Sequence, residues 1–155
     1  MVFGKTDDDR LKETLKSINS MVMCDSYTKI EDVERTAKYR AEWTETAMRG
    51  HTATKKGRVA LERLIQMAET RQSGQIGKIA LFLWCIWDQT EKSRFDLFDM
   101  CGLDVAISDD ILSVLDAIRW RQVPIYLMAE HLNKRMPKIL HKWGLGEPDH
   151  LLDGN

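Results

Sequence analysis

The densest chemistry in this 155-residue sequence is a run of carboxylates. Asp96, Asp99, Asp104, Asp109, Asp110 and Asp116 fall within 21 positions that hold no basic residue. Carboxylates gathered on one face accept hydrogen bonds from Arg and Lys, so such a segment can occupy a surface built to handle nucleic acid. Asp96, Asp99, Asp104, Asp109 and Asp110 are therefore candidates for contact with a protein partner, and Trp84 is a candidate aromatic anchor beside them. The same acids have a structural use. Asp96, Asp104, Asp109 and Asp110 stand where helices start, where negative charge answers the helix dipole. A segment of opposite sign lies upstream: residues 51–72 carry Lys55, Lys56, Arg58, Arg63 and Arg71 against Glu62 and Glu69. Lys55, Lys56 and Arg58 form the alternative site, one that would contact phosphates.

Other chemistries find less. The four histidines, His51, His131, His141 and His150, are scattered, and no Cys-x-x-Cys or His-Glu-x-x-His occurs. Glu147-x-x-His150 has the spacing of helical di-metal sites, but those need it twice with two further carboxylates. Gly74-x-x-Gly77 lacks the Lys-Ser/Thr and the preceding strand of a phosphate loop. No nucleophile elbow or glycine-rich turn is present, so neither an enzyme, a metal nor a cofactor is the expectation. The net charge of −1 points the bulk of the molecule at neither a polyanion nor an anionic membrane. The longest apolar run, Ile79 to Trp87, is less than half of the roughly 20 residues a span needs. The three cysteines, Cys24, Cys85 and Cys101, are widely spaced, the usage of a reducing compartment. With no signal-peptide pattern at the N-terminus, a cytoplasmic location is expected.

The elements that must hold these residues read as helices throughout. Apolar residues recur at three and four, and no stretch alternates like a half-buried strand. Thr6 followed by Asp7, Asp8 and Asp9 opens a first helix with the seam Leu11, Leu15, Ile18 and Val22. Thr28-x-x-Glu31 has the form of a capping box for a second. Residues 1–50 thus form a helical hairpin or arm broken near Cys24 to Ser26, and the seam suits packing on this domain or equally on a second copy, which makes a homodimer through the N-terminal helices possible. Residues 51–57, bounded by Gly50 and Gly57, read as a linker. Residues 58–143 form the bundle core, and 144–155 a loose tail. In the core, the segment from about 76 to 90 is apolar nearly all round and belongs at the centre. A short helix or turn over 95–102 follows, then a helix capped by Asp104 or Ser108 that turns Ile111, Leu112, Leu115 and Ile118 inward. Pro124 opens another, which Pro137 kinks or restarts. The expected class is all-α, a multi-helix bundle.

The order Ala60-Leu-Glu-Arg-Leu64, the Gly74-Gln75 turn, the Ala80 to Asp88 helix and then Phe95-Asp96-Leu97, Asp99, Leu103-Asp104 and Asp110-Ile111-Leu112 resembles an uncharacterised family. Its members are small helical proteins, a domain of unknown function, carried on plasmids and integrative elements of Gram-negative bacteria. The likeness covers about residues 60–115. It implies an all-helical fold and a mobile-element context, and supplies no activity. Glu91-Lys92-Ser93-Arg94 departs from the longer glycine-containing segment usual there. Joined to the acidic segment, it leads to a non-catalytic protein-binding accessory protein, most concretely an anti-defence, anti-CRISPR-like inhibitor acting on a defence ribonucleoprotein subunit. A nucleic-acid-binding regulator of plasmid transfer or replication is the alternative. A small enzyme without a recognisable motif is the third.

Overall fold

A computed structural model describes residues 5–88, 93–120 and 122–146. They form five α-helices, α1 (Asp7–Ser20), α2 (Val33–Thr70), α3 (Gly74–Trp87), α4 (Val105–Trp120) and α5 (Leu132–Lys142), with 3-10 turns at Leu97–Gly102 and Ile125–Leu127. The protein is an all-α bundle built along α2.

Helix α1 starts where the capping pattern places it. The Thr6 hydroxyl accepts from the Asp9 backbone N–H, and the Asp9 carboxylate accepts from the Thr6 N–H, a reciprocal box that satisfies two orphan donors. The chain then folds back as a hairpin. Its loop is closed by a bridge between Cys24 and Glu31 and by the Asp25 carboxylate, which accepts from the backbone N–H groups of Tyr27 and Thr28. The cap of α2 is Asp32, which accepts from Arg35 N–H, and not the Thr28 box. Thr28 instead donates its hydroxyl to Asp25 and so serves the loop.

The expected linker at 51–57 is helix. Helix α2 runs unbroken from Val33 to Thr70, with Gly50, His51, Ala53, Thr54 and Gly57 buried within it. Here small residues are a packing device. A Cβ at Gly57 would lie 2.4 Å from the Ala117 Cβ and 3.0 Å from the Ser113 carbonyl oxygen of α4. Side-chain bulk is removed where the two helices pack in close contact.

The apolar core begins at Ala60. Leu61, Leu64 and Ile65 of α2, Ile79 and Leu83 of α3, Ile111 and Val114 of α4, and Met136 and Ile139 of α5 are fully or almost fully excluded from water. The nearly all-apolar α3 lies among them, as its composition requires. On α4 the inward residues are Ile107, Ile111, Val114 and Ala117; Leu112 faces solvent, and Leu115 and Ile118 only flank the core. Pro137 sits inside a continuous α5 without stopping it. Polar bonds tie α5 to α2. Arg135 forks onto Glu62 and Glu69, each at 2.8 Å. The Lys142 ammonium donates to the carbonyls of Ala68, Glu69 and Arg71, and the Trp143 indole N–H to that of Ala68. Those are terminal acceptors of α2, at the negative end of its dipole. Just past α5, Gly144 lies in the left-handed region at φ 63°, with Leu145 N–H bonded back to the Leu140 carbonyl and its side chain on the core. Glu147, His150 and residues 147–155 of the expected tail lie outside the described residues.

Candidate functional site

The acidic segment divides by the job each carboxylate holds. Asp110 faces inward, only 8% exposed, and its two oxygens take the Nε and Nη2 donors of Arg63 from α2. It is therefore a fold contact and not part of an exposed face. The Arg63 guanidinium is pushed further up by that hydrogen bond. Asp99 pairs with Lys78 of α3 at 3.0 Å, and Asp116 with Arg119 at 2.7 Å. Asp96 caps the first 3-10 turn by accepting from Phe98 N–H. Asp104 precedes α4, its backbone carbonyl taking the N–H of Ile107 and Ser108 while its own N–H goes to Gln75. Asp96, Asp104 and Asp109 are exposed and have no cationic partner among the described residues.

Three large apolar side chains stand among those free carboxylates, and the sequence reading missed them. Phe98 is 82% exposed, Val105 76% and Leu97 67%. Leu97 and Phe98 belong to a six-residue 3-10 turn whose only core contacts come from Met100 and from its flanks, Phe95 and Leu103. Phe95 anchors that base edge-on against Phe82, ring centroids 5.5 Å apart. Val105 and Leu112, seven apart on α4, continue the exposed stripe with Asp109 between them on the same face. A signal was available: Leu97-Phe98 sits between two aspartates in a segment too short to bury both its faces. Trp84 is half-buried against the core and donates its indole N–H to Asp88 at 3.3 Å. It serves the bundle margin and is not a fully exposed anchor.

The basic candidates also separate. Arg58 donates to both Asp7 oxygens, at 2.6 and 3.0 Å, and also to the Leu127 carbonyl. Lys55 reaches Asp8 at 3.2 Å, where His51 Nε2 joins at 3.0 Å. Two of the three cations thus hold α1 on α2, and the hydrogen bond from Lys55 keeps Asp8 below its ordinary pKa. Lys56 points elsewhere, exposed beside α4. The α1 seam is spent within the chain: Ile18 is buried and Leu11 and Leu15 half-buried, while Val22 is exposed. Among the described residues no group of three or more His, Cys, Asp and Glu is placed to hold a metal, and no helix is long and apolar enough to cross a membrane.

A family model matches residues 58–144, more than half of the chain. The chain belongs to DUF7673, a family of unknown function. The DUF7673 segment takes in the apolar core and the whole acidic stretch, and it leaves out α1, the hairpin loop and the first two-thirds of α2. The aspartates and Phe98 therefore lie on the family domain, and Lys55, Lys56 and the Asp7–Asp8 latch outside it. No curated protein and no solved structure matches the chain.

Proposed function

We propose that this protein is a non-catalytic binding protein that docks onto a basic protein surface through residues 96–112. One observation carries the reading: the most exposed large apolar side chains of the family domain, Phe98, Val105 and Leu97, stand among Asp96, Asp104 and Asp109, which have no cationic partner among the described residues. Exposed apolar side chains are costly to leave in water, and with carboxylates around them they match an apolar recess rimmed by Arg or Lys. In its most concrete form the protein is an anti-defence, anti-CRISPR-like inhibitor of a mobile element, occupying cations that a defence ribonucleoprotein subunit keeps for nucleic acid. The resemblance to plasmid-borne proteins and the near-neutral total charge support that form. A homodimer through the N-terminal helices would use Tyr39 and Trp43, which stay partly exposed after α1 has packed.

The test is affinity purification of the tagged chain from a bacterial host with active defence systems, with nuclease treatment and mass spectrometry. A nucleic-acid-handling protein that survives nuclease and is lost with Phe98→Ala or with Asp104→Lys/Asp109→Lys is the expected result. Capture that is wholly nuclease-sensitive, or unchanged by both variants, would overturn the reading. Asp96, Asp99 and Asp110 are left intact because each also holds the fold.

A further inference from the structure

Arg49 on α2 and Arg119 on α4 converge on one indole. Their guanidinium carbons lie 5.6 and 5.0 Å from the centroid of the Trp120 ring. Stacking on an aromatic ring fixes a guanidinium plane while leaving its edge N–H donors free. The three side chains, with Thr52, Lys56 and Asp116, line an open recess of about 300 Å³ between the two helices, the lower end of the size that small-ligand sites occupy.

The charges in this recess do not cancel. Among the described residues Asp116 is the one carboxylate lining it, and Arg119 already holds it at 2.7 Å. The acid nearest Arg49 is Glu45, at a long 3.9 Å. Lys56 has no ion-pair or hydrogen-bond partner among the described residues. The contrast with the other side of α2 is direct: there Lys55 and Arg58 are answered by Asp8 and Asp7. Farther along α4 the groove is lined by Lys56 again, there with Asp109 and Asp116, so the positive excess is concentrated at the end where Arg49 and Arg119 join Lys56. Two guanidiniums and an ammonium around a nucleotide-sized recess are the donor set that a phosphate's oxygens accept from several directions.

We propose that this recess is an anion site that takes a phosphate group, carried either by a free nucleotide or by a nucleic-acid strand. It borders the acidic surface on the family domain, because Lys56 also lines the groove that Asp109 and Leu112 line. It also relocates the basic reading of the sequence, from Lys55, Lys56 and Arg58 to Arg49, Lys56 and Arg119.

The experiment titrates the full chain at low ionic strength, where screening is least, with thymidine 5′-monophosphate and separately with an oligothymidylate. Arg49→Gln, Lys56→Gln and Arg119→Gln should each weaken binding roughly tenfold, the loss of one charged hydrogen-bonding partner, while Lys55→Gln leaves it unchanged. Equal binding of both probes assigns the site to nucleotides; binding of the oligothymidylate alone assigns it to a strand. Should a variant fail to fold, the wild-type indole N–H resonance of Trp120, assigned with Trp120→Phe, must still shift on titration. Absence of binding at millimolar probe, or binding indifferent to all three substitutions, overturns the proposal.

Discussion

The two halves of α2 share α4 as a neighbour but are held by different forces. From Ala60 to Ala68 the buried residues are mostly aliphatic, and α3, α4 and α5 share the same core. From Val33 to Gly57 the buried residues are Thr36, Ala47, Gly50, His51, Ala53, Thr54 and Gly57, each small or polar. Aliphatic side chains gain stability by leaving water and need no particular partner. Small residues gain it by close approach, and polar ones only where a bond is made. The arm makes those bonds: Met23 N–H to the Thr36 hydroxyl at 3.0 Å, the Thr54 hydroxyl to the Gly50 carbonyl at 2.8 Å, and His51 to Asp8. One buried atom, His51 Nδ1, lacks a bond within the described residues. A single helix thus joins a greasy domain to a latched one, and the two should not open at the same free energy.

The largest effect tests that difference directly. Leu64→Ala or Leu83→Ala removes a fully buried side chain and should cost about 2–5 kcal/mol, lowering the midpoint of urea unfolding for the whole bundle. Asp7→Asn weakens the Arg58 latch and should cost about 1–2 kcal/mol, felt chiefly as faster amide hydrogen exchange in α1. A global midpoint lowered by Asp7→Asn in full proportion to its cost would mean that arm and bundle are one cooperative unit.

A pair of glycines sharpens the boundary between the regions. Gly57→Ala must push a methyl against the Ala117 Cβ and the Ser113 backbone, which cannot swing aside. Overpacking of that kind costs about 1–3 kcal/mol, more than the roughly 1 kcal/mol of helix propensity that alanine restores. At Gly50 the nearest obstacle is the Gln122 side-chain amide, 2.4 Å from the new Cβ. That amide ends a flexible side chain and makes only a 3.4 Å bond to the Ala47 carbonyl. Gly50→Ala should therefore be neutral to stabilising. Thermal melts of both variants, read with their opposite signs, locate where α4 stops gripping α2.

These contrasts were only partly legible in the sequence. Periodicity sufficed for the helices, and the all-round apolar character of α3 placed it in the core, because burial of a whole helix surface leaves no other position. Gly50 to Gly57 misled, since small and polar residues signal a linker and a close helix contact with the same letters; only the partner helix, far away in sequence, tells them apart. The acidic segment was visible as a count but not as a surface. Asp110 turned inward because Arg63, 47 positions earlier, was there to receive it. Phe98 stayed outward because a 3-10 turn has too few residues to bury both faces. Arg49 and Arg119 were illegible as a pair for the same reason: Trp120 and the helix crossing bring them together.

The smallest effect concerns acid. In the arm, Asp8 is held below its ordinary pKa by the Lys55 ammonium, Asp9 by the Thr6 hydroxyl and Asp25 by the Thr28 backbone N–H. In the bundle, Glu69 is held down by the Arg135 guanidinium. A carboxyl whose folded pKa is depressed contributes stability that is fully present above its unfolded value, 3.8 for Asp and 4.5 for Glu. That contribution is lost as pH falls through the folded value. The contribution of these four carboxyls stays constant between pH 7 and about 5. Below about pH 4 the arm loses three such contributions, and its buried seam is short. The bundle loses that of Glu69, while an aliphatic core indifferent to protonation remains. Amide protection in α1 and the hairpin loop should therefore fall at a higher pH than protection in α3 and α5. Added salt at neutral pH should reproduce only the share that Lys55 contributes, because the Thr6 and Thr28 bonds are not screened. Loss of protection in both regions at one pH would show that the latch and the core answer to the same transition.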